Sequence, residues 1–127
     1  HLMTDSSSRI YLGVLRICLV INGARTLKDR RRVVRSLQDR IRHKFSVSIH
    51  QLGEDIRPTE QVLVLTTAGN DRSVIQQCLQ DVLSFAEQGA ASWVRDFDLD
   101  VFRWQATLDS FEDHDRFNGE LGGDQNE

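Results

Sequence analysis

The chain has 127 residues, 39% of them apolar and 28% charged, with a formal net charge of −3. That is the composition of an ordinary globular protein, and no apolar run approaches the roughly 18 residues that a membrane span needs. Two cysteines with no CxxC spacing, and no secretory leader pattern, predict a cytoplasmic protein with reduced thiols and no membrane contact.

The opening HLM reads as a cloning remnant and 4–8 as a flexible lead-in, so residues 1–8 are set apart from a single domain over 9–106. Ile10–Ile21 alternates with period two. Its odd positions (Tyr11, Gly13, Leu15, Ile17, Leu19, Ile21) are apolar throughout, and its even positions are apolar except for Arg16. Such a segment is a strand from the middle of a sheet, and Asn22-Gly23 ends it.

Thr26 with Asp29 three residues later forms a capping-box pattern that starts a helix over 27–44. At 100° per residue, Leu27, Val33, Val34, Leu37, Ile41 and Phe45 share one stripe. Lys28, Arg31, Arg32, Arg35 and Arg42 fall on the opposite side. Arg40 and Lys44 flank the stripe, and Arg30 lies on it near the first turn, where its stem can snorkel to water. Residues 25–44 hold nine of the sixteen lysines and arginines against two aspartates. An acidic protein thus gathers its positive charge on one helix face.

SVSIHQL (46–52) alternates as a second strand, 53–60 is a loop carrying the only proline, and QVLVLTTA (61–68) is a third strand too uniformly apolar to assign faces. Asn70 or Asp71 caps a second helix over 72–88, with Ile75, Cys78, Leu79, Val82, Phe85 and Ala86 inward and Gly89 at the position of a left-handed C-terminal glycine. Residues 93–105 alternate again, Phe97, Leu99 and Val101 opposite Asp96, Asp98, Asp100, Phe102 and Trp104. Residues 107–127 form a polar, acidic tail expected to be flexible. The βαββαβ order predicts an α+β, ferredoxin-like sandwich, a four-stranded antiparallel sheet with both helices on one face. The expected core includes Leu15, Ile17, Leu37, Ile41, Leu79, Val82, Phe97 and Leu99.

The segment NGARTLKDRRRVVRSLQDRIRHKFSVSI resembles the signature of the YlxP-like family of small bacterial proteins, close to GARSLKxKRRVxxSLxxRLRxKFNVSV. The match runs through Gly23, Ala24, Arg25, Leu27, Lys28, Arg31, Arg32, Val33, Ser36, Leu37, Arg40, Arg42, Lys44, Phe45, Val47 and Ser48, and GVLRICLVI and the later GND also fit. The resemblance covers about residues 10–105. It implies a ferredoxin-like fold, which agrees with the element order, and work near RNA or the ribosome, since genes of the family often neighbour those for translation initiation and ribosome maturation. The chain departs from the family between the second and third strands, where Pro58, Thr59 and Val64 replace a D-x-W-Q-like run and a glycine.

Two surfaces are candidates. The first is the basic helix face, with Lys28, Arg31, Arg32, Arg35 and Arg42 placed for phosphates and Arg25 at the helix start, where the macrodipole favours an anion. A solvated face or one paired with the acidic tail explains the same charges, and an acidic protein surface is the alternative partner. The second is the open face of the sheet, where Val14, Cys18, Phe102 and Trp104 predict either cover by the tail (Phe111) or a two-fold homodimer. No aromatic base-stacking strand motif occurs and its aspartates would repel phosphates, which disfavours RNA binding of the kind that stacks bases on a sheet. His43, His50 and His114 lack ligand spacing, Cys18 and Cys78 lie on different elements, and no nucleophile–base order or phosphate loop occurs, so neither metal, cofactor nor catalysis is expected.

Overall fold

The computed structural model describes residues 9–53 and 57–105. The lead-in 1–8, three residues of the loop 53–60, and the acidic tail lie outside the described residues. The elements are β1 (Tyr11–Ile21), α1 (Leu27–Lys44), β2 (Ser48–Leu52), β3 (Glu60–Gly69), α2 (Arg72–Glu87) and β4 (Ser92–Arg103). Every strand pair is antiparallel and the sheet order is β2-β3-β1-β4, so β1 and β3 are central and β2 and β4 are edges. This is the expected ferredoxin-like arrangement.

Burial follows the alternation of β1. Leu15, Ile17, Leu19 and Ile21 are sealed beneath the helices with Leu63 and Leu65 of β3. Pairing supplies what β3's uniform sequence withholds: Leu15↔Leu65 and Ile17↔Leu63 turn these leucines toward the helices, and Val62 and Val64 to the open side. Val34, Leu37 and Ile41 of α1, and Ile75, Leu79, Val82 and Ala86 of α2, complete the core, as their spacing requires. α1 lies over β2 and β3, and α2 over β1 and β4.

Three expectations are corrected. Phe97 faces the helix side opposite Ile17, yet it is 47% exposed. β4 has a neighbouring strand on one side only, so a large ring midway along it is covered from one side. Leu99 is half-buried against the core for the same reason. Gly89 does not take a positive φ; α2 ends with Gln88 N–H donating to the Phe85 carbonyl at 3.2 Å. Arg30 does not snorkel. It is 2% exposed, and its guanidinium donates to the carbonyls of Arg57 (3.0 Å) and Glu60 (3.4 Å), tying α1 to the entry of β3.

Gly13 marks where α2 approaches the sheet. A Cβ there would stand 2.6 Å from Ile75 Cγ2 and 2.7 Å from Leu79 Cδ1. Gly13→Val is therefore expected to lower the unfolding free energy by about 1–3 kcal/mol, as overpacked cores do. Urea denaturation checks this, and a variant as stable as the parent would contradict the close approach.

Candidate functional site

Thr26 caps α1 as its sequence predicts, its hydroxyl accepting the Asp29 N–H at 3.1 Å. The Asp29 carboxylate accepts the Arg25 N–H at 3.1 Å, and this bond holds its carboxyl below the usual range. The chain thus sets its own anion at the helix start, where sequence reading places an external one beside Arg25. Asp29 also lies 3.6 Å from Arg32.

Along that flank Lys28, Arg31, Arg32, Arg35 and Arg42 are all exposed, as is Arg25 just before it. From Lys28 to Arg42 the row spans about 21 Å at 1.5 Å per residue. Asp39 pairs with Arg42 at 3.7 Å, and among the described residues Lys28 and Arg35 have no carboxylate partner. The pairs of Arg32 with Asp29 and of Arg42 with Asp39 are long and exposed, and each offsets little charge. A surface groove of about 750 Å³ is lined by Lys28, Arg31, Arg32, Arg35, Ser36, Asp39 and Arg40.

The groove continues toward α2, where sequence reading placed nothing. Asp39 and Arg40 also line a second recess with His43, Lys44 and Phe85. There Lys44 Nζ stands 5.0 Å, and the Arg40 guanidinium carbon 5.9 Å, from the centre of the Phe85 ring, which meets Phe45 edge-on at 5.8 Å. Arg40 and Lys44 therefore brace the seam between the helices, as cations over aromatic rings do. Their flanking position on the helical wheel was the available signal; the distant Phe85 was not.

The other predicted site residues gather on the open sheet face. Leu12, Val14, Arg16, Cys18 and Val20 of β1 lie beside Phe102, Asp100, Asp98, Asp96 and Trp93 of β4. Phe102 and Trp104 are each 39% exposed, and Trp93, which sequence reading did not assign, is 48% exposed. Cys18 is different, already covered and 3% exposed, and burial pushes its thiol upward. Arg16 donates to Asp98 (2.8 and 3.0 Å) and Asp96 (2.9 Å), and these carboxylates hold its guanidinium protonated. Arg95 is the extra residue of a bulge opposite Cys18 and Leu19, and it bonds Glu60 at 2.7 Å. Lys28–Arg42 and the sheet residues thus lie on opposite sides of the molecule and form no joint site. Among the described residues no group of three or more His, Cys, Asp or Glu is placed to hold a metal ion, and no helix is long and apolar enough to cross a membrane.

Comparison with solved structures gives several likenesses at low sequence identity. One is a de novo designed protein, Foldit4, at 14% identity and TM-score 0.42, covering 77% of this chain and 99% of that one. Another is SnoaB, a cofactor-independent oxygenase from Streptomyces nogalater, at 16% identity and TM-score 0.42, covering 80% and 98%. No curated protein matches the chain. A family model described as "Protein of unknown function (DUF503)" matches residues 12–98, from the start of β1 into β4. The chain belongs to the DUF503 family of proteins of unknown function.

Proposed function

We propose that this is a non-enzymatic accessory protein that docks the exposed flank of α1 on the phosphate backbone of RNA, ribosomal RNA being the partner of choice. Lys28, Arg31, Arg32, Arg35 and Arg42 contact phosphates, and Arg25 adds charge beside the helix start. The observation that carries this reading is a row of exposed cations on one helix flank, among which the described residues place two distant carboxylates, Asp29 and Asp39. A row of about 21 Å is long enough to follow several successive phosphates of one strand. Contacts of this kind position a protein without reading base sequence. The acidic remainder of the chain restricts docking to this one side.

The test is a salt titration of the full chain against ribosomal RNA fragments. With four phosphates neutralised, log K falls against log salt with a slope of about −3 to −4, and Arg35→Gln shallows it by about one contact. The affinity loss is similar on unrelated RNA sequences. Absence of binding at low salt overturns the reading. Binding to polyglutamate without binding to RNA makes an acidic protein surface the partner instead.

A further inference from the structure

The open face of the sheet is independent of the α1 reading, and its occupant can be read from the strand register. Residues facing away from the helices fall into rows across the sheet. In order β2-β3-β1-β4, one row is Ser48, Thr66, Val14, Asp100; the next is His50, Val64, Arg16, Asp98; the third is Leu52, Val62, Cys18, Asp96. The middle of the face, on β1 and β3, is thus largely apolar: its polar members are Thr66, Arg16, which is turned aside onto Asp96 and Asp98, and Glu60 at one end opposite Val20, which is paired with Arg95. The aspartates stand on one edge, while the other edge carries a hydroxyl and an imidazole. An apolar centre inside a polar rim is the anatomy of a protein interface.

We propose that this face binds a second copy of the chain, sheet on sheet, about a two-fold axis lying between the two sheets and parallel to the strands. That axis sets β1 of each copy over β3 of the other, and β4 over β2. It keeps each row in line with itself, so Asp98 of one copy faces His50 of the partner subunit, and Asp100 faces Ser48 of the partner subunit. Like charges stay on opposite edges. A two-fold axis across the strands instead stacks the aspartates of β4 on their own copies, which like-charge repulsion disfavours.

Aligned sheets cross at about 30°, which displaces strands at the edge by roughly 4 Å, one residue and within reach of a side chain. Trp93 and Phe102, near the two ends of β4, reach past the ends of the partner's five-residue β2. Four strands at about 4.8 Å and ten residues at about 3.3 Å give a face on the order of 600 Å² in projection. Side-chain relief brings its accessible area toward the ~800 Å² per partner of a standard interface. The acidic segment 106–127 is the poorer cover. It carries seven carboxylates against one arginine, and the face it would lie on has its own row of aspartates.

Sedimentation of the full chain at high micromolar concentration tests the proposal. The parent is expected at twice 14.6 kDa. Val14→Asp gives a monomer with the parent's circular dichroism, and His50→Asp, which sets a carboxylate against Asp98 of the partner subunit, weakens association at least tenfold. The exchange His50→Asp with Asp98→His restores it. Because His50 is an exposed edge residue, its variant reports association even if Val14→Asp fails to fold. A monomeric parent overturns the proposal, and protection of 106–127 from proteolysis that is lost in Val14→Asp makes that segment the occupant. A dimer unaffected by either substitution also overturns it, since the contact then lies elsewhere.

Discussion

Leu37→Ala is expected to lower the unfolding free energy by about 2–5 kcal/mol, the range for removing a buried leucine side chain. Leu37 is 2% exposed and stands between Val34 and Ile41 on the buried stripe of α1. Few other elements hold α1 down: its contacts with the edge strand β2, its neighbour β3 and α2 are all modest. The cavity therefore opens beneath a helix that has few other apolar anchors. Against the 5–15 kcal/mol of a typical domain, such a loss is a large fraction of the whole, and a fall in melting temperature of at least about 10 °C accompanies it. Arg35→Ala, two residues earlier on the exposed flank, serves as the control and changes stability by less than about 0.5 kcal/mol. Urea and thermal denaturation of both variants decide the matter. Equal stabilities would mean that the inward face of α1 is not the one described.

The second large effect concerns affinity. Arg31→Glu combined with Arg35→Glu removes two cations from the middle of the row and sets two carboxylates in their place. The expected result is at least a hundredfold loss of RNA affinity at low salt, or about 2.7 kcal/mol. The salt dependence shallows by about two contacts' worth. The fold survives, because both positions are exposed and glutamate matches arginine in helix propensity. The comparison variant is Arg16→Gln on the far side of the sheet, which leaves RNA affinity unchanged. Fluorescence anisotropy with a labelled RNA measures all three. If the double variant binds like the parent, α1 is not the docking face.

Much of this structure is legible in the sequence, for reasons that differ from element to element. The phase of α1 is readable because apolar residues recur at helical spacing and the cations avoid them. The faces of β3 are not, since QVLVLT is apolar at nearly every position and only its register against β1 separates Leu63 and Leu65 from Val62 and Val64. Alternation puts Phe97 on the correct side of β4 but cannot tell that β4 is an edge, which is a property of the assembled sheet. Strict alternation also carries Trp93 to the helix side; the bulge at Arg95 turns it onto the open face opposite Val20. The basic row is local and could be read directly. The cations over Phe85 join residues more than forty positions apart, and only the packing of α1 beside α2 brings them together. The binding roles assigned to either face rest on exposure and charge rather than on a motif, so the sequence suggested the surfaces and left their partners to experiment.

The bond between Arg30 and the carbonyls of Arg57 and Glu60 bears on the heat of binding. A fully buried guanidinium pins one turn of α1 to the strand entry, so the helix cannot roll about its axis, and its outer cations keep a set spacing before any partner arrives. Basic segments that fold as they bind bury apolar surface and order their backbone, which gives a large negative heat-capacity change. A helix already held in place orders little and buries little. If α1 docks on phosphates as proposed, its association is expected to be driven by the release of counterions into solution, an entropic gain with small enthalpy and a heat-capacity change near zero. Calorimetry at several temperatures would therefore show a nearly flat enthalpy for this protein, where a folding arm would show a steep one.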